Sequence, residues 1–146
     1  METTDHYKRL ERVYASAPIL RFYNTSYIRF SETETTTTLQ VEEKYFHGQK
    51  ALHGSVYFRM LDDAAYFACA AKEPEKFLVT KSFNTELLRP VSEGKITAVG
   101  TVTGDAKNGY TARAELKDDK NQLLAIGEGV FVRTNTNWTE VFGYSS

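Results

Sequence analysis

Cysteine is almost absent from this chain, in which Cys69 is the only one among 146 residues. A single thiol excludes an internal disulfide framework and fits a reducing compartment, so a cytoplasmic location is expected. Charge of one sign is also lacking, since the formal net charge is −1 at pH 7. Without a net positive field, the chain is not expected to bind nucleic acid or an anionic membrane surface.

Long hydrophobic runs are missing as well. No segment approaches the ~18 consecutive apolar residues of a membrane span. The charged opening METTDHYKRLERVY lacks the apolar stretch of a signal peptide. We therefore expect no membrane partner.

What is present predicts one α+β domain over residues 1–146. The apolar positions of the first segment share one helical face, and Pro18 follows, which predicts a leading helix within residues 1–20. Strands are predicted where β-branched residues alternate with polar ones, at residues 26–47, 78–90, 95–105, 109–118 and 123–133. The order of elements predicts an antiparallel sheet packed against one long helix, with a tail at residues 134–146.

The long helix, residues 53–71, has two different faces. At 100° per residue a wide apolar stripe forms, and it consists of Val56, Tyr57, Met60, Leu61, Ala64, Phe67, Ala68 and Ala71. This stripe is expected to face the core. Asp62 falls opposite its centre, on a face too aromatic for solvent that also holds Ser55, Phe58, Ala65, Tyr66 and Cys69. Because a sheet is expected to bury only one side of a helix, we expect a second subunit to cover this second face.

The two adjacent acids of this helix are expected to differ. Asp63 lies one turn from Arg59, which predicts an i,i+4 ion pair worth a few tenths of a kcal/mol and no chemical role. Asp62 has two interpretations from the residues alone. It is either a carboxylate paired with Arg59 or solvated at an interface edge, or a general base or nucleophile activated by desolvation in an apolar cleft.

The start of the helix, His53-Gly54-Ser55, carries a second chemical signal. A helix N-terminus offers unpaired N–H groups to a developing oxyanion, and Gly54 allows a ligand to approach the backbone. His53 by itself is more typical of a structural hydrogen-bonding residue than of a catalyst.

With these residues in place, the sequence resembles the hotdog-fold acyl-CoA thioesterases of the phenylacetate-pathway (PaaI-like) group. That family has His-Gly-Gly at the start of its central helix and an acid nine positions after the His, matched here by His53-Gly54-Ser55 and Asp62. Its later strand hydroxyl, proline turn and glycine-rich last strand are matched by Thr80, LLRPVSEGK (87–95) and AIGEGVFV (125–132).

The resemblance implies a hotdog fold, in which the sheet wraps around the central helix, and a homodimer or dimer of dimers with active sites between subunits. It further implies hydrolysis of an acyl-CoA thioester without a metal or redox cofactor. Asp62 would be the base or nucleophile, the Gly54 N–H would polarise the carbonyl, and Thr80 would orient water or Asp62. His53 would shape the helix start.

Two positions depart from the family pattern. Ser55 stands where the family has a second Gly, and FHGQKAL (46–52) lacks the Asn that often precedes the His, leaving His47 or Gln49 as substitutes or as ordinary loop residues. The acyl pocket would be limited by Phe58 and Tyr66. Candidates for binding the anionic end of CoA are the basic side chains Lys81, Arg89, Lys107 and Arg113.

Two alternatives stay open at this stage, and other chemistries are poorly supported. A catalytically silent acyl-CoA-binding or assembly module would share the fold, because fold does not fix function. An acyl-thioester hydratase or dehydratase is less favoured, since the residue arrangements typical of those families are missing. A metal site at His47, His53 and Asp62 would lack a fourth ligand, and Cys69 fits a small buried thiol.

Overall fold

The computed structural model describes residues 3–145 and contains two α-helices, six strands and three short 3-10 helices. The helices are α1 (Thr3–Ser16) and α2 (Gly54–Lys72). The strands are β1 (Tyr27–Phe30), β2 (Thr35–Gln40), β3 (Lys76–Leu87), β4 (Lys95–Ala106), β5 (Gly109–Lys117) and β6 (Leu123–Asn137). The 3-10 helices span Pro18–Arg21, Glu43–Tyr45 and Trp138–Glu140. None of the helices in residues 3–145 is long and apolar enough to cross a membrane.

All six strands form one antiparallel sheet in the order β1-β2-β4-β5-β6-β3. The two hairpins β4–β5 and β5–β6 turn at asparagines, Asn108 and Asn121, which adopt φ of 58° and 64°. Asparagine tolerates this left-handed conformation better than most residues, which explains why these loops reverse the chain. The predicted strands are therefore present, although the first stretch (26–47) forms two short strands and a 3-10 helix, and β6 continues to Asn137 within the predicted tail.

Helix α2 packs into the concave face of this sheet, and its predicted apolar stripe is buried apart from Ala71, which is half-buried. Close packing is possible because small residues line the sheet. A Cβ added to Gly100 on β4 would lie 2.1 Å from the Ala64 carbonyl oxygen of the helix. Glycine is therefore required where the helix backbone crosses the sheet.

The sheet curves around α2 further than we expected. Ala65 and Cys69 belong to the helix face that a second subunit was expected to cover, yet both are fully buried in one chain. Strand β3 accounts for part of this cover, because the Tyr66 hydroxyl on the same face donates to the Leu78 carbonyl at 2.6 Å. The premise that a sheet buries only one side of a helix is wrong for this chain.

The end of α2 is fixed by a buried carboxylate, Glu73. One oxygen accepts from Arg133 Nε at 2.7 Å and from the Tyr110 hydroxyl, and the other accepts from the Lys76 and Glu75 N–H groups. Burial alone would raise the pKa of Glu73, but these hydrogen bonds outweigh burial and lower it. A carboxylate with four donors is a structural element that joins α2, β3, β5 and β6.

Helix α1 and the C-terminal segment pack together against this same C-terminal end of α2. Leu10 and Tyr14 of α1 are buried, as their shared face predicts. The buried ring of His6 bridges the Ala70 carbonyl oxygen and the Tyr144 hydroxyl, at 2.8 Å each. The segment after β6 is therefore held to the rest of the fold by its buried Trp138 and Tyr144 side chains, whereas Phe142 of the same segment is 77% exposed.

Candidate active site

The N-terminus of α2 is capped by His53. Its Nδ1 accepts from the Ser55 N–H at 3.1 Å and lies 2.8 Å from the Ser55 hydroxyl oxygen. Because Nδ1 is an acceptor for the N–H, the ring carries its proton on Nε2 in this arrangement. Both side chains are thereby engaged in the helix cap.

The Gly54 N–H, by contrast, has no acceptor within residues 3–145. It is the first N–H of a 19-residue helix, so the positive end of the helix dipole adds to its donor strength. Gly54 borders a surface groove together with His47, Leu52, Tyr57, Leu87, Leu88, Arg89 and Pro90. An acceptor oxygen in this groove would find an unused backbone donor.

Asp62 lies two turns along α2 and has a different partner from the one its sequence neighbours suggested. Its Oδ1 accepts from the Thr80 hydroxyl of β3 at 3.0 Å, whereas Arg59 pairs with Asp63. Thr80 sits opposite the buried Phe131 of β6, just before an irregularity in the β3–β6 pairing. Burial raises the pKa of Asp62, and the hydrogen bond from Thr80 opposes that rise.

Asp63 is held in a separate polar cluster. Its Oδ2 lies 3.4 Å from Arg59 Nη2, which confirms the predicted ion pair. Arg59 also donates to the Tyr14 and Ser26 hydroxyls and stacks 4.2 Å above the Tyr23 ring. Burial raises the pKa of Asp63 to about 7; Arg59 opposes the rise and Asp62 adds to it, although 25% of the Asp63 side chain remains exposed.

A cavity of about 290 Å³ opens directly at Asp62 and Thr80. It lies between α2, β3, the end of α1 and the following 3-10 helix, and the other lining residues are Val13, Tyr14, Ala17, Ile19, Leu20, Asp63, Tyr66, Phe67 and Phe77. This is a largely apolar cavity with the carboxyl groups of Asp62 and Asp63 and the Thr80 hydroxyl in its wall, an arrangement typical of ligand sites.

Gly54 and Asp62 of one chain are too far apart to act on one carbonyl group. They are eight residues apart in the same helix, which corresponds to about 12 Å of rise along the axis. A nucleophile must come within about 3.5 Å of the carbonyl carbon while the donor lies within about 3.1 Å of its oxygen. The two groups of one chain therefore belong to different sites if both act on a substrate carbonyl.

The structure brings some of the predicted site residues together and separates others. Thr80 lies beside Asp62, Tyr66 lines the Asp62 cavity, and His47 lines the Gly54 groove. Gln49 and Phe58 line neither. Phe58 instead packs edge-to-face on Phe83 at 5.4 Å and is 41% exposed.

Sequence reasoning missed the contribution of the N-terminal segment to the cavity. Ala17, Ile19 and Leu20 follow the end of α1 and form one of its walls. The signal was the apolar pair Ile19-Leu20 after Pro18, which the leading helix itself does not need. Arg89 was proposed only as one of four basic candidates, and it lines the Gly54 groove.

The histidines and acids of residues 3–145 form no group of three His, Cys, Asp or Glu side chains placed to hold a metal ion. Cys69 is buried, and burial raises the pKa of its thiol to about 12. A thiol in that state is protonated and unreactive at neutral pH.

The chain belongs to the Thioesterase superfamily, whose family model matches residues 49–125, just over half of the chain. The matched range contains the helix start, both acids of α2 and Thr80. No curated protein sequence matches the chain.

Solved structures of similar fold include the PaaI protein of the Escherichia coli phenylacetic acid degradation operon, with a TM-score of 0.79 and 19% identity over 92% of this chain and 97% of that one. Thioesterase HI1161 of Haemophilus influenzae gives a TM-score of 0.76 and 20% identity over 89% and 92%. The TT0310 protein of Thermus thermophilus gives 0.69 and 19% over 81% and 98%. The predicted α+β hotdog fold and the resemblance to PaaI-like thioesterases are confirmed.

Proposed function

We propose that this protein hydrolyses acyl-CoA thioesters to a carboxylic acid and free CoA, with Asp62 as the catalytic carboxylate. The observation that carries the proposal is the placement of Asp62: a partly buried carboxylate, bonded by Thr80 and facing an apolar cavity in a chain of the Thioesterase superfamily. Desolvation makes such a carboxylate a stronger base. A merely structural interface would be more stable with an apolar residue at this position.

The chemistry is addition to the thioester carbonyl followed by loss of the thiolate. Asp62 either takes the proton of an attacking water or attacks the carbonyl carbon itself, giving a mixed anhydride that water then cleaves. In both routes the C–S bond breaks and the CoA thiolate leaves and is protonated. The Gly54 N–H would stabilise the oxyanion, and Thr80 would hold Asp62 in position.

The proposed site needs two chains, so we propose a homodimer, alone or paired into a tetramer. Gly54 and Asp62 of the same chain are separated by about 12 Å of helix. Strand β3 is an edge strand of 12 residues, and Val79 and Leu87 on it are 40% and 51% exposed. A long edge strand with exposed apolar side chains is a template for pairing with a second copy.

The groove at Gly54 suits the CoA end of the substrate. Arg89 and His47 border it, and a guanidinium is well matched to the phosphates of CoA. His53 and Ser55 would act there by holding the helix start in place, while Gln49 and Phe58 stay predictions without a contact to either cavity. A cytoplasmic location also stays a prediction, and the buried, unpaired Cys69 is consistent with it.

The test is release of free CoA thiol from a panel of acyl-CoAs by the wild type and by Asp62→Asn. We expect a loss on the order of a hundredfold or more in kcat. Asp105→Asn, at an exposed aspartate of β4, is the matched control and should retain wild-type turnover. Thr80→Val should lower kcat more than Thr80→Ser, which keeps the hydroxyl. Turnover by Asp62→Asn at the wild-type rate would refute the proposal, and acyl-CoA binding without turnover would identify a silent module.

A further inference from the structure

Aromatic rings give the wall of the cavity at Asp62 an apolar surface. Its two tyrosines have their hydroxyls occupied elsewhere: Tyr66 donates to the Leu78 carbonyl at 2.6 Å, and Tyr14 is bonded to Ser26 and Arg59. Their rings therefore contribute apolar surface, together with the side chains of Phe67 and Phe77.

The charges at the cavity are all of one sign. No lysine or arginine is among its lining residues, and the two ionisable groups in its wall besides the tyrosines are the carboxyls of Asp62 and Asp63. Arg59 is the nearest cation along the helix, and its guanidinium is engaged by Asp63, Tyr14 and the Tyr23 ring. A carboxylate on a ligand would meet repulsion here and no partner.

The wall opposite α2 comes from the end of α1 and the segment that follows it. Val13 and Leu20 pack against the hydrophobic core, so their side of the wall is fixed, while Ile19 is 54% exposed. Ala17 is the smallest side chain of this wall and leaves room in front of it. The size of this part of the cavity is therefore set by a few residues that lie outside α2 and the sheet.

We propose that this cavity binds the acyl group of the substrate, that the acyl group is uncharged and apolar, and that residues 17–20 determine the acyl size accepted. This inference rests on the proposed function. It names the substrate class as monocarboxylic acyl-CoAs with a hydrocarbon acyl group and excludes dicarboxylic ones.

The first experiment compares hexanoyl-CoA with adipyl-CoA, which has the same acyl length but ends in a carboxylate. We expect the wild type to favour hexanoyl-CoA in kcat/KM by about a hundredfold, because the cavity offers an anion no partner. Equal kcat/KM values for the two would overturn the inference.

The second experiment fills the cavity. Ala17→Phe should lower kcat/KM for hexanoyl-CoA at least about tenfold and change that for acetyl-CoA less than about twofold. Ala15→Phe is the matched control, the same change at an exposed position of α1 that does not line the cavity, and it should leave both values unchanged. Leu20→Ala should act in the opposite direction and raise the ratio of octanoyl-CoA to hexanoyl-CoA cleavage. Equal acyl profiles for all three variants and the wild type would overturn the inference.

Failure of the proposed function is distinguished by a binding measurement. If the wild type cleaves no acyl-CoA, S-hexyl-CoA, a thioether that cannot be hydrolysed, is titrated by calorimetry. At least tenfold weaker binding to Ala17→Phe, with Ala15→Phe unchanged, would support the cavity assignment in a protein that does not catalyse. Equal affinity for both variants, or no binding to the wild type, would overturn it.

Discussion

Two inactive variants of this protein are expected to restore each other when their chains assemble together. Asp62→Asn removes the carboxylate but keeps the helix start. Gly54→Pro removes the unpaired N–H and keeps the carboxylate. Proline is tolerated at the first position of a helix, and His53, at φ −64° and ψ 142°, already has the conformation that a residue before proline prefers.

The expected magnitudes follow from the geometry of α2. Loss of a general base costs about 10²–10⁴ in rate, and loss of one oxyanion donor about 10²–10³. Because about 12 Å of helix separates Gly54 from Asp62 of one chain, each site of the proposed dimer would combine the Gly54 of one chain with the Asp62 of the other. A mixed dimer then has one intact site and one doubly damaged site, so it should have about half the activity of the wild-type dimer.

The assay uses two affinity tags, one on each variant, and tandem purification of the mixed dimer from co-expressing cells. CoA thiol release is measured for the mixed dimer and for each parent. Gly54→Ala, whose Cβ would lie 3.3 Å from a movable Leu87 side-chain atom, controls for added volume because it keeps the N–H. It should lose much less activity than Gly54→Pro.

A reciprocal dimer makes the result decisive. When a wild-type chain pairs with a chain carrying both substitutions, every shared site lacks one component, so activity should fall to the level of the single variants. If each chain had a complete site, this dimer would keep half of the wild-type activity and the first mixed dimer would have none. That pair of results would refute the two-chain site.

Four further predictions concern stability, measured as the free energy of unfolding in urea. Gly100→Ala should lower the free energy of unfolding by about 3 kcal/mol, because the added Cβ meets the helix backbone. Gly104→Ala is its control and should change the free energy of unfolding by less than about 0.5 kcal/mol, because its Cβ meets only a hydroxyl at 3.4 Å. His53→Ala should lose about 1 kcal/mol, and His53→Asn should restore the cap. The hydrogen bonds that lower the pKa of Glu73 stabilise the folded protein at pH values above 4.5, the ordinary pKa of this group. This stabilisation is lost as the pH falls through the lower pKa of the folded state. Glu73→Gln should therefore make the free energy of unfolding depend less on pH in the acid range. The raised pKa of Asp63 acts in the opposite sense, so stability should fall as the pH rises through about 7 and Asp63→Asn should remove that fall.

Local patterns in the sequence were enough to predict the helices and strands and much of the candidate site. Period-two alternation predicted the strands, and the 100° projection placed Asp62 and Asp63 on different parts of α2. The i,i+4 pair of Asp63 with Arg59 followed from spacing alone. Contact between Asp62 and Thr80 did not, because it joins residues 18 apart on different elements; it was expected only through the family resemblance.

The features that local patterns did not predict depend on contacts between residues that are far apart in the sequence. The close packing of α2 on the sheet depends on small residues such as Gly100, whose effect appears only when the helix lies against it. Glu73 stands between Lys72 and Pro74, a context typical of a solvated helix end, yet four donors from three segments bury it. The position of residues 17–20 beside Asp62 is likewise a property of how α1 docks.

The docking of α1 connects the stability of the fold to the candidate site. Tyr14 contributes its hydroxyl to the Arg59 cluster and its ring to the cavity wall, so one residue of α1 serves both. By engaging Arg59, this cluster keeps the guanidinium beside Asp63 and away from Asp62. Asp62 is then left with a neutral hydroxyl partner, which holds the carboxylate without neutralising its charge. The two adjacent acids of α2 therefore differ in their surroundings, because Arg59 pairs with Asp63 and not with Asp62.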